Sequence, residues 1–171
     1  GALAGHSTFD EAMRNAALRR HFDGLEKEEV LPGIAMDLPF DRHAYCERIA
    51  ERFANRAIAD ALERICMDGF AKFPIFLRPT LEGCLTSGIT PRYCYLSIAS
   101  WYVYARRHAS QQVSVPYHEP NWHLLEPMLE AGQEMVFAGS QLLWGDLPDR
   151  FPDFAAAIVN SIQEIDQRWP V

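Results

Sequence analysis

An all-α fold is what this sequence predicts, and three observations predict it. Apolar residues recur at helical spacing along most of the chain. No stretch alternates in the manner of a strand. Ser, Thr, Asp, Pro and Gly fall where helices would start and stop. The 171 residues, 49% hydrophobic and 23% charged, suffice for one domain with a buried core. No run approaches the ~18 apolar residues of a membrane span. A net charge of −7 is wrong for a surface that meets phosphates. The expectations are no nucleic-acid partner, no membrane, and the cytoplasm as default location.

Thr8 with Glu11 three residues later fits a capping box. The helix it opens should run to about Leu31, kinked near Asn15 and stopped by Pro32-Gly33. Residues 32–40 read as a loop. Asp41 caps a helix over about 42–54, with Tyr45, Ile49 and Phe53 as one buried stripe. From Ala57 to Met67 the pattern is most regular: Ile58, Ala61, Leu62, Ile65 and Cys66 share a face. Asp68-Gly69 reads as its stop, with Gly69 turning left-handed and Lys72 in the turn that follows. A short helix over about 79–87 comes next. Pro91 suits the first turn of a long helix to about Arg107, apolar nearly all round and so the central core helix. Residues 109–122 read as a loop or lid. Helices follow at about 122–131 and 132–143, Leu147-Pro148 makes a break, and Phe151 to Arg168 closes the chain. There is no repeat and no linker.

The chain carries no glycine-rich phosphate loop and no G-x-S-x-G elbow. Cys46, Cys66, Cys84 and Cys94 are irregularly spaced, without C-x-x-C, and are expected to be reduced structural thiols. His118 and His123 are five apart with Pro120 between them, which is not the four-residue spacing of a helical metal pair. With His108 they are expected to hold no metal; the loop should cover the core or line a cleft mouth. Asp60 and Arg64, four apart, allow an ion pair worth roughly 0.3–0.5 kcal/mol if exposed. Lys72 is one of two Lys against 14 Arg. Arg64 and Lys72 are pure donors that could converge on one cleft, suited to polyol hydroxyls or a carboxylate.

At these residues a resemblance becomes specific. Arg52-Phe53-Ala54-Asn55, Ile58-Ala59-Asp60 and the run from Arg64-Ile65-Cys66-Met67-Asp68-Gly69 through Lys72-Phe73-Pro74 resemble the C-terminal domain of the mannitol dehydrogenase family. The family pattern there is R-F-x-N-P, I-x-D-[ST], R-I-x-x-D-G-x-x-K-x-P. Thr8 to Met13 and Leu143 to Leu147 resemble two flanking family motifs. The resemblance implies that residues 1–171 are an all-α substrate-binding domain of the 6-phosphogluconate-dehydrogenase-like type, without a sheet of its own. It also implies an N-terminal Rossmann domain that binds NAD, and a lysine helix, K-x-x-x-x-N-x-x-H, lying just before Gly1. The missing initiator methionine fits a cut there. No catalytic residue is then expected in this chain and no metal is needed; Arg64 and Lys72 carry over as the substrate-binding residues.

The reaction implied is oxidation of a secondary alcohol of an alditol, mannitol or D-arabinitol. The upstream lysine removes the proton and hydride passes to the nicotinamide. A hexuronate reductase of the same family, acting on fructuronate or tagaturonate, is the alternative. An alternative of another class is a non-catalytic helical interaction module, which would leave Arg64 and Lys72 exposed without a shared cleft. The isolated chain is expected to be inactive and to expose an apolar face through which it self-associates.

Overall fold

Local signals set many of the helix boundaries. The structure is a computed structural model that describes residues 1–34 and 39–169. Among the described residues there is no strand, and the sole extended pairing is an isolated bridge between Thr8 and Ala61. In α1 (Phe9–Arg14) the Glu11 carboxylate accepts from the Ser7 and Thr8 amides at 2.8 and 3.2 Å, the reciprocal half of the predicted capping box. The kink near Asn15 is a full break. Asn15 takes extended backbone, and its side chain accepts from the Ala17 and Leu18 amides to start α2 (Ala16–Gly24). A π-helical stretch, Leu25–Val30, and a single turn, α3 (Leu31–Gly33), continue the chain. The expected loop over 32–40 therefore begins as helix, and its residues 35–38 lie outside the described residues.

Asp41 caps α4 (Arg42–Phe53) by accepting from the Ala44 amide. The stripe expected to be buried is used only in part: Ile49 and Phe53 are half-buried, Phe53 against the Phe9 and Phe22 rings. Tyr45 is exposed against Phe40, whereas Cys46 and Ala50 face inward. Small side chains on that face let α4 lie against α1 and the π-helical stretch.

The predicted helix over 57–67 is largely absent. Only α5 (Leu62–Cys66) is helical, and Ile58 is exposed. The Asn55 side chain accepts from the Ala57 amide and turns the chain, and Ala59 has positive φ. The backbone beyond is claimed by another segment. The Phe9 amide donates to the Asp60 carbonyl and the Leu62 amide to the Ser7 carbonyl, both at 2.9 Å. Tertiary pairing there overrides the helical pattern of the side chains.

Downstream, α6 (Gly69–Phe76) is a helix where the sequence predicts a turn, and Pro74 lies inside it. α7 (Arg78–Thr86) and α8 (Arg92–Ala109) match the prediction. The two helices expected over 122–143 are instead short pieces, α9 (Trp122–Leu125), α10 (Glu134–Ala138) and α11 (Gln141–Trp144). Pro127, Gly132 with positive φ, and Gly139 interrupt them. α12 (Leu147–Arg150) and α13 (Phe154–Arg168) complete the fold.

The long α8 is the axis, buried over nearly all of 94–105, and it packs along α13. Aromatic rings run through the core from Trp101 and Tyr102 to Phe137, Trp144 and Phe154. All four cysteines are free, and burial raises each thiol above its ordinary pKa. No helix among the described residues is long and apolar enough to cross a membrane.

No side chain of its own caps α8; its first residues follow Pro91. The cap comes from a distance. Glu29, 2% exposed on the π-helical stretch, accepts from the Tyr93 amide at 2.6 Å and the Cys94 amide at 2.8 Å. A carboxylate at a helix N-terminus satisfies otherwise orphaned N–H groups and complements the helix dipole. Glu29→Ala leaves those amides buried and unpaired and should cost about 2–4 kcal/mol. A denaturant titration showing less than about 1 kcal/mol lost would refute this capping role.

Candidate functional site

The segment that carries the predicted cations is held at both ends. Upstream, the pairing of 60–62 with 7–9 fixes the entry to α5 and with it Arg64. Downstream, Met67 is extended and Asp68 takes the left-handed conformation with φ 61°. Asp is among the few non-glycine residues that tolerate this region. Gly69, expected to make that turn, does something else. It starts α6 directly against α8, where an added Cβ would lie 2.3 Å from the Trp101 indole nitrogen. Phe73, one turn on, stacks on the same indole with centroids 4.5 Å apart.

A buried carboxylate locks this arrangement. Glu119 is 7% exposed and accepts from the Phe70 amide in the first turn of α6 at 2.9 Å. It also accepts from the Tyr117 hydroxyl at 2.7 Å and the Asn121 amide at 3.1 Å. Tyr117 in turn accepts from the Trp101 indole N–H at 2.7 Å. Burial, then the bond to Glu119, raises the Tyr117 pKa, so the phenol stays a donor. The Asp68 amide donates to the His118 carbonyl at 2.9 Å, a second tie between loop and segment.

Two recesses flank the segment and meet at Met67, which lines both. One, an open recess of about 470 Å³, is lined by Ala61, Glu63, Arg64, Met67 and His118. Arg64 is 66% exposed there and bonds Asp60 at 2.5 Å. Asp60 lies outside α5, so this pair is not within one helix as the spacing predicted. The other is a deeper cavity of about 380 Å³ between α2, the 65–73 stretch, α8 and the end of α13. Its walls include Leu18, Phe73, Leu96, Trp101 and Ile165, and its polar groups include His21, Lys72, Ser97 and Ser100. The Lys72 ammonium, on α6, donates to the Ile65 carbonyl at 3.4 Å. Arg64 and Lys72 thus stand on either side of Met67, each facing its own recess.

Among the described residues no group of three His, Cys, Asp or Glu side chains is placed to hold a metal ion. His118 points to the Arg64 recess, and His108 packs with Tyr117 and Trp122 edge to face. Sequence reasoning misses His21, Ser97 and Ser100. Two hydroxyls at i, i+3 in an otherwise apolar helix are the available signal for the serines. Nothing in the pattern marks Glu119 as the buried member of its motif.

His21 bonds Ser97 Oγ through Nε2 at 2.9 Å, and burial, with Arg168 adding to it, lowers its pKa to about 4. The unfolded chain protonates this histidine near its ordinary 6.5, whereas the folded chain resists until about 4. Stability therefore falls as pH drops through that window, by about 2 kcal/mol between pH 7 and pH 5. Denaturant midpoints at the two pH values should diverge less in His21→Asn; an undiminished divergence would assign the effect elsewhere.

The sequence matches the family described as Mannitol dehydrogenase C-terminal domain over residues 1–166. It is 28% identical over 170 residues to mannitol 2-dehydrogenase of Aspergillus niger, covering 96% of this chain and 34% of that one. It is 36% identical over 91 residues to D-arabinitol 4-dehydrogenase of Ralstonia nicotianae, covering 53% of this chain and 19% of that one. Among solved structures it is similar to Pseudomonas fluorescens mannitol 2-dehydrogenase in ternary complex with NAD and D-mannitol, with a TM-score of 0.86 and 25% identity. That match covers 95% of this chain and 34% of the other. The chain spans about a third or less of the relatives it matches.

Proposed function

The chain belongs to the mannitol dehydrogenase family as its C-terminal domain, and from that premise we propose that it is the substrate-binding part of an NAD-dependent polyol dehydrogenase. The substrate is an alditol of the mannitol or D-arabinitol type. Arg64 and Lys72 bind its remote hydroxyls. The observation that carries the reading is their placement on either side of one segment, which the Glu119 network anchors against α8.

Arg64 with Asp60 supplies a donor fork beside an acceptor. Vicinal hydroxyls donate and accept together, so this pair can satisfy both functions of a diol. A hexuronate carboxylate would meet the negative charge of Asp60 next to its arginine. The pair therefore favours an alditol over the hexuronate alternative. Holding the distal end of a flexible polyol decides which carbinol is presented to the reacting centre, and removes its rotational freedom before reaction.

The dinucleotide does not fit this chain. Among the described residues there is no sheet and no glycine-rich turn leading into a helix to hold a pyrophosphate. In this reading NAD and the general base belong to an N-terminal Rossmann domain outside these 171 residues. The chain's own residues bind and orient the polyol.

Arg64 is largely exposed, so its truncation should leave the fold intact. In the full-length gene product Arg64→Ala should lower kcat/KM for the alditol by about 10- to 100-fold. Unchanged kinetics, or turnover of hexuronates with none of alditols, would overturn the assignment.

A further inference from the structure

Glu119 is spent on the frame of the molecule; its neighbour His118 is not. From Val115 to Pro120 burial alternates. Val115, Tyr117 and Glu119 are buried, whereas Pro116, His118 and Pro120 are exposed. In a chain that alternates in this way, every second side chain shares a face. The inward members are fixed. The Tyr104 hydroxyl on α8 reaches the Val115 and Pro116 carbonyls, 2.9 Å from each. Tyr117 accepts from the Trp101 indole N–H, and Glu119 accepts from the Phe70 amide. His118 is thereby turned the other way, and it lines the Arg64 recess with Ala61, Glu63 and Met67.

The main chain of His118 does the structural work, its carbonyl accepting from the Asp68 amide at 2.9 Å. The ring bonds nothing among the described residues. A short side chain on a backbone tied at both sides has little freedom left to lose when a ligand arrives. A neutral imidazole donates from one ring nitrogen and accepts at the other, the same two functions that a hydroxyl has. Arg64 can only donate, and the Glu63 carboxylate on the same wall can only accept. The recess therefore offers a donor, an acceptor and a group that is both. A polyol uses that mixture, because each of its hydroxyls donates and accepts. A carboxylate only accepts, and here it would also face the negative charge of Glu63.

We propose that His118 is a further substrate-binding residue, its ring hydrogen-bonding an alditol hydroxyl adjacent to those that Arg64 holds. The inference rests on the polyol reading and adds to it a residue that neither spacing nor family resemblance marks. The carbonyl of His118, and not its ring, ties down the segment. Loss of the ring should therefore weaken the hold on substrate and leave the frame in place.

The test is steady-state kinetics of the full-length gene product with mannitol and D-arabinitol. On the better of the two, His118→Ala should raise KM about tenfold and change kcat by less than about twofold. His118→Phe keeps a ring without its nitrogens and should match the alanine variant. His118→Gln keeps a donor and an acceptor and should return KM to within about threefold of the parent. Melting curves check that each variant is folded; if His118→Ala is not, the comparison of His118→Phe with His118→Gln decides. An unchanged KM, a loss carried by kcat, or no recovery in His118→Gln would overturn the assignment, while alditol turnover by the parent leaves the polyol reading standing. A parent that turns over neither alditol would overturn that reading and the role of His118 with it.

Discussion

Both oxygens of the buried Glu119 carboxylate are engaged: one takes the Phe70 amide and the Tyr117 hydroxyl, the other the Asn121 amide. Each bond is modest taken singly. Together they tie three parts of the molecule that are distant in sequence: the loop before α9, the start of α6, and, through Tyr117, the Trp101 indole on α8. Were α6 free to rotate or slide, Gly69 would lose its close approach to Trp101 and Lys72 its place in the cavity wall. The positions of both recesses depend on this carboxylate, because the segment dividing them runs directly into α6.

Glu29 repeats the device at the start of α8. Each of the two helices that matter most here begins on a buried carboxylate supplied by another element. Burying a charge is costly unless its hydrogen-bonding capacity is filled. A capping carboxylate fills its own capacity and that of the helix end at once. The result is a rigid frame around a less constrained rim. Arg64, exposed and paired with Asp60, can exchange its partner for a ligand at little cost.

What can be read from sequence is what is local. The capping box at Thr8 and Glu11, the cap at Asp41 and the long apolar α8 each follow from neighbouring residues, and each is found. The differences between pattern and fold have a common physical cause. Residues 57–61 carry a helical apolar pattern, but residues 7–9 compete for their backbone. Gly69 has the look of a left-handed stop, but the indole across from it demands the missing Cβ, while Asp68 bears the strained φ. Lys72 reads as a turn residue because it follows the Asp68-Gly69 stop, yet Glu119, 49 positions from Phe70, starts a helix there. Arg64 and Lys72 stand out by residue type and by family resemblance. The apolar character of the cavity beside Lys72 needs α2, α8 and α13 in place.

The central claim is that Glu119 fixes the α6 segment locally, beyond adding to general stability. Amide hydrogen exchange in Glu119→Ala reads this residue by residue. The account predicts that protection across 69–73 falls about 10- to 100-fold relative to the parent chain, while amides in the middle of α8 exchange as before. A uniform loss of protection over all helices, or none in α6, would contradict it.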